Sequence, residues 1–211
     1  MKKYELTDDS ITFMGRKLFR IRAIRSFNDV AVGDLGGFVE KEKNLSHDND
    51  AWIYGDACIF GDARISDNAC IYGNACICNN AHIYGDARIY GNACICDNAH
   101  IYGDARIYGN ACIYDDAHIS GDARISGDAR IYDDACISGD ADYLYLKGLG
   151  SENRNTTFFK CEDGHIHVSC GCFSGNLSEF ENKVKETHGD SKYAKEYLAC
   201  IEVVKIHFEE E

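Results

Sequence analysis

The chain has 211 residues, no proline, 12 cysteines and a formal net charge of −13. That length predicts one or two domains, and 22 Lys and Arg against 35 Asp and Glu leave no basic footprint for DNA or RNA. No run approaches the ~18 apolar residues of a membrane span, and the start, MKKYELTDDS, lacks the apolar stretch of a signal peptide. We therefore expect a cytoplasmic chain with reduced thiols, and neither nucleic acid nor membrane as a partner.

Residues 1–50 read as a capping segment. ITFMGRKLFRIRAI predicts a β-hairpin turning at Met14-Gly15-Arg16, with Phe19, Ile21 and Ala23 on one face and Arg20 and Arg22 on a solvated one. In the segment that follows, Val39 and Leu45 are six apart, but Leu45 and Ile53 are eight apart. That spacing predicts an irregular coil closing the end of whatever comes next.

From Ile53 to Ile137 an Ile stands at every sixth position, and from Ala57 to Ala141 an Ala follows each by four. The unit I-x-[GDN]-[DN]-A-x repeats fifteen times without insertion over residues 51–142, and such a hexapeptide period is a β-helix signature. An extended x-I-x run points Ile inward and its neighbours outward. The Gly, Asp or Asn pair tolerates the left-handed backbone of a corner, and Ala fits its tight inside. These repeats resemble the hexapeptide-repeat, or left-handed parallel β-helix, family. The resemblance implies triangular coils of eighteen residues, here about five, stacked ~4.8 Å apart into a prism ~24 Å long. Trimers are common for that fold.

Three outward ladders follow from the eighteen-residue period. One side carries Trp52, Cys70, Arg88, Arg106 and Arg124 before each Ile, with Tyr54, Tyr72, Tyr90 and Tyr108 after it. The second carries Cys58, Cys76, Cys94, Cys112 and Arg130, with Cys78 and Cys96 among the residues after Ile. The third carries Arg64, His82, His100, His118 and Cys136. Every Arg of the repeats follows an Asp by two residues, so pairing with that corner carboxylate is the expected structural role. Arg88, Tyr90, Arg106, Tyr108 and Arg124 are the candidates for binding a small anion by charge and stacking. His82, His100 and His118 are the candidate metal ligands. The Cys ladder suits packing or an interface better than zinc, which wants a tetrahedron. Disulfides between in-register neighbours are not expected.

Residues 143–211 predict an α+β module, ββαα. NTTFFKCEDGHIHVSCGCF reads as a hairpin turning at Asp163-Gly164, with Thr157, Phe159, Cys161, Ile166, Val168 and Cys170 on one face. His165 and His167 then face away, which splits the apparent zinc motif. Helix one carries Leu177, Phe180 and Val184, with Ser178 and Glu181 at capping-box spacing and Gly189 at its end. Helix two begins near Asp190 or Ser191. Cys172 with His188 is a residual candidate for nucleophilic chemistry. Both ends also resemble uncharacterised hexapeptide-repeat proteins of bacteria and their prophages.

The resulting expectation is a mainly β, non-catalytic binding or scaffold protein acting as a homo-oligomer, with no catalytic residue assigned and no cofactor. The first alternative is sequestration of a small anionic ligand, such as a nucleotide signal, between subunits, as an anti-defence protein would do. A hexapeptide-type acyltransferase or a metal-dependent hydratase is the second. The resemblance implies for acyltransferases a protruding inter-coil loop, which the repeats lack.

Overall fold

The computed structural model describes residues 1–208; the last three residues of the C-terminal segment lie outside it. Strands β1 (Tyr4–Phe13) and β2 (Arg16–Ala23) form the expected hairpin, with Met14 and Gly15 both at positive φ in its turn. Strand β3 (Leu35–Val39) pairs with β2 and then, in parallel, with the repeats. Fifteen two-residue strands follow, from β4 (Trp52–Ile53) to β18 (Cys136–Ile137), each ending in a repeat Ile.

Each repeat strand pairs in parallel with the strand eighteen residues on, as in Ile53↔Ile71, Ile77↔Ile95 and Ile101↔Ile119. The irregular coil is real. Val39 pairs with Ile59 and Leu45 with Ile65, twenty residues apart, because two residues are inserted between Leu45 and Ile53. With that coil the solenoid has about six turns rather than five. Every repeat Ile, and every repeat Ala from Ala57 to Ala135, is buried, and together they form one continuous apolar core along the axis, while Ala141 at the last corner is exposed. The first residue of each corner pair from Gly55 to Asp133 has positive φ, for example Asp67, Asn79 and Gly91, as the repeat chemistry requires; Gly139, at the last corner, is extended with φ −159°.

The ladder has a polarity that governs both ends. Each coil donates its N–H groups to carbonyls of the next, as Cys94 N does to Ala111 O at 2.9 Å. The first coil therefore presents unpaired carbonyls and the last coil unpaired N–H groups. Donors close the first end: Lys3 Nζ donates to Ala51 O at 2.7 Å, and Tyr4 Oη to Leu45 O at 2.9 Å. Acceptors close the other: Arg130 N donates to Thr157 Oγ1, Arg124 N to Asp140 Oδ1 and Ser138 N to Asp142 Oδ2.

Beyond the prism, β19 (Tyr143–Leu149), β20 (Arg154–Lys160), β21 (Ile166–Cys170) and β22 (Phe173–Asn176) form an antiparallel sheet in chain order. Helices α1 (Leu177–His188) and α2 (Lys192–Phe208) complete the module. The sheet is covered on both sides. Phe159 and Cys161 join the core of the prism, whereas Phe158, Val168 and Cys170 pack with Phe180, Val184, Tyr197, Ile201 and Val204 of the helices.

The expected register of the β20–β21 hairpin is off by one residue. Phe159 pairs with His167 and Phe158 with Val168, because Cys161 N donates to His165 O and the loop holds three residues, 162–164. Thr157, Phe159, Cys161, His165 and His167 consequently share the prism side, and Ile166, Val168 and Cys170 the helix side. The α1 cap also differs from expectation. Asn176 and Glu179 form the capping box, each side chain accepting the other's backbone N–H at 2.9 Å. Ser191 caps α2 through Ala194 N.

Candidate functional site

On the side of the prism that carries the Arg ladder, Tyr54, Tyr72, Tyr90 and Tyr108 stack with ring centroids 4.5, 4.8 and 5.1 Å apart and planes within 5° of parallel. The eighteen-residue register places one ring above the next, and all four are half-buried. Arg88, Arg106 and Arg124 stand in the adjoining column in direct register. The expected pairing with Asp86, Asp104 and Asp122 does not form. Among the described residues no Arg of the repeats lies within 4.0 Å of a carboxylate. The Asp sits on the corner and the Arg on the flat side, so their side chains diverge. Asn relieves part of the acidic columns instead: Asn68 donates to Asp86 at 3.1 Å, Asn79 to Asp97 at 2.7 Å and Asn110 to Asp128 at 2.8 Å. Arg88 is held further toward its charged form by a hydrogen bond with the Tyr90 hydroxyl.

On the third side His100 and His118 stack with centroids 5.0 Å apart, and His82 lies 5.1 Å from His100 with its ring tilted by 43°. Burial, followed by Arg64, lowers the pKa of His82, while burial and the two flanking histidines lower that of His100. Near the first coil this side opens on a cleft of about 830 Å³ lined by Glu42, His47, Arg64, His82 and Tyr84 among others. His47 makes a 2.9 Å contact to Glu42 Oε1 through Nε2, and Nδ1 accepts from Lys3 N at 3.3 Å. Both its nitrogens are engaged.

The cysteine side is partly covered by the chain's own hairpin. Leu18, Phe38 and Phe60 bury Cys58, Cys78 and Cys96, with Ile11 and Phe13 packed alongside. Arg20, expected to be solvated, lies 4.1 Å over the Phe38 ring and pairs with Asp9 and Asp56. Contrary to expectation, Cys78 and Cys96 are joined as a disulfide, their Cα atoms 4.7 Å apart, within the range that disulfides span. A hydrogen bond from Cys76 pulls the Cys94 thiol below its usual range and pushes Cys76 above it. In the C-terminal module Cys172 is exposed, whereas His188 stacks 5.7 Å from Tyr197. No hydrogen bond links Cys172 and His188 among the described residues.

A family model described as the YdcK beta solenoid repeat matches residues 105–121. Over 77 residues the chain is 39% identical to a protein of Escherichia coli (strain K12) described as "Uncharacterized acetyltransferase YdcK", covering 32% of this chain and 24% of that relative. The chain is built on hexapeptide repeats stacked as a parallel β-solenoid, and in this it resembles that family. It spans about a quarter of the relative's length. The hexapeptide-repeat chain has no helix long and apolar enough to cross a membrane among the described residues.

Proposed function

We propose that this hexapeptide-repeat chain is a non-catalytic scaffold that assembles with copies of itself through the Tyr–Arg side of the prism. The observation that carries this reading is the column Arg88, Arg106 and Arg124, which lacks any carboxylate partner among the described residues and runs beside a stacked tyrosine ladder. Arg and Tyr are the residues that dominate interface energetics. Asp104 and Asp122 on the neighbouring corner also lack a cationic partner among the described residues. Both columns repeat once per coil, so the Arg column of one prism matches the Asp column of another in spacing. A rotation that brings them together gives a heterologous contact, and it closes into a ring when the angle permits.

Light scattering on the purified protein tests this. The wild type runs as an oligomer, Arg106→Glu lowers the mass, and Asp104→Arg combined with Arg106→Glu restores it. A monomeric wild type at micromolar concentration removes the scaffold reading. The unpaired guanidiniums would then be left for a small anion, with Arg88/Tyr90 and Arg106/Tyr108 supplying charge and stacking and Arg124 extending the row. Thermal shift with nucleotides reads that out, since saturating ligand adds ~2–4 kcal/mol.

A second reading, acyl transfer, is favoured by the description of the E. coli relative and by the cleft at the first coil. His47 has no free nitrogen there, so His82, whose lowered pKa keeps it neutral at pH 7, is the base this reading requires. Stabilisation by acetyl-CoA that disappears in His82→Gln would support it.

A further inference from the structure

The tip of the β20–β21 hairpin and the last corner of the prism bring together donor atoms that neither holds alone. One ligand atom each of Cys161, His165 and His167 lies within 4.8 Å of the other two. Asp133 Oδ2, from the corner, stands 3.5 Å from His167 Nδ1. Ligands at ~2.0–2.1 Å from a tetrahedral zinc ion lie roughly 3.4 Å from one another. The Asp133–His167 spacing is thus already that of a tetrahedral edge, and the three hairpin donors need to close by about 1 Å.

We infer that Cys161, His165, His167 and Asp133 form a binding site for a zinc-like divalent transition-metal ion, which fastens the C-terminal hairpin to the last coil. The backbone that carries the ligands is fixed in advance. Cys161 bridges Ala135, Glu162 N donates to Asp134 O at 2.9 Å, and Gly164 N donates to Cys161 O at 2.9 Å to close the loop.

The rings are oriented as metal-binding histidines usually are, with the second nitrogen held by a neighbour. Asp163 engages His165 Nδ1, which leaves Nε2 for a metal. Ser174 Oγ lies 2.9 Å from His167 Nε2, which leaves Nδ1 facing Asp133. Phe159, stacked at 5.1 Å, and Tyr132, edge-on at 5.4 Å, hold the His167 ring in place.

Electrostatics and donor chemistry agree. The adjoining cavity of about 1120 Å³ is lined by Asp133, Asp134, Glu162, Asp163 and Glu179, with no Lys or Arg. Five carboxylates draw cations in general. One sulfur and two imidazoles select a transition metal over magnesium or calcium, which take oxygen donors.

Cobalt(II) titration of the full chain, stripped with chelator and kept under reductant, tests the site. One equivalent should give a thiolate-to-cobalt charge-transfer band with tetrahedral d–d absorption, and zinc should displace it. Cys161→Ser and His167→Gln should abolish the spectrum, and Asp163→Asn should weaken affinity about ten- to hundredfold by freeing the His165 ring. His165→Gln alters an exposed side chain, so its loss of binding with an unchanged circular dichroism spectrum separates ligation from folding. Cys94→Ser should bind as the wild type does. The inference is overturned if the folded wild type takes up no cobalt. It is equally overturned if the spectrum survives Cys161→Ser and His165→Gln but vanishes in Cys94→Ser, which would move the metal to the cysteine side. Neither outcome bears on the oligomer reading, because the two sites share no residue.

Discussion

Lys3 Nζ donates to Ala51 O at 2.7 Å across 48 residues of sequence, and this contact closes the carbonyl-presenting end of the prism. The ammonium also reaches Asn49 O at 3.2 Å, and Lys3 is fully buried. Lys3→Met should leave these carbonyls unpaired at ~1–3 kcal/mol each, read as a lower urea midpoint. Burial lowers the Lys3 pKa from 10.5 to about 8. The unfolded chain therefore binds more protons between those values, and the Lys3 contribution grows as pH rises through that window. The stability difference between wild type and Lys3→Met should widen from pH 7.5 to pH 9.5. A difference that is flat or shrinks across that range would refute the assignment.

Ile101 sits mid-prism with Ile83 below and Ile119 above, all fully buried. Ile101→Ala should cost about 2–5 kcal/mol, since stacked coils cannot collapse around the cavity. Equilibrium denaturation measures it.

Gly91 has φ 84°, and an added Cβ would lie 2.6 Å from Gly109 O of the next coil. Gly91→Ala combines the left-handed penalty of ~1–2 kcal/mol with a backbone clash. It should therefore be more destabilising than Gly15→Ala, where φ is also positive but nothing lies within 4 Å. Equal melting temperatures for the two variants would contradict this.

The His100 imidazole is half-buried between two others, and burial and those neighbours hold its pKa below the ordinary imidazole value. In acid the unfolded chain gains protons first, so stability falls as pH drops below about 6.5. His100→Asn should flatten the slope of melting temperature between pH 7 and pH 5 relative to wild type.

The Cys78–Cys96 bridge predicts a cross-linked peptide pair in a non-reducing digest, and a loss of stability on reduction of roughly 3 kcal/mol for a loop of this size. Cys78→Ser should remove the sensitivity to reductant, while Cys58→Ser, whose thiol is free, should keep it.

The prism was legible because its repeat is consistent at every level. Ile at every sixth place sets the inward face, Gly, Asp and Asn supply the corners, and Ala fits inside them, so the three ladders follow by counting. The interactions of the outward side chains were not legible. Arg and Asp two residues apart diverge at a corner, and Asn bonds to the coil above instead. The neighbours that bury Cys78 and Cys96 come from a hairpin and a coil distant in sequence.

At the C-terminal end the sequence determined that a hairpin and two helices exist, through the Asp163-Gly164 turn signal and the stripe Phe180–Val184. The tertiary structure decided which way the hairpin faces. Phe158 and Phe159 are both fully buried, one against the helices and one against the prism, so no alternation of apolar and polar residues marks the register. A three-residue loop then sets it, and that single step places Cys161, His165 and His167 on one side, opposite the corner that supplies Asp133.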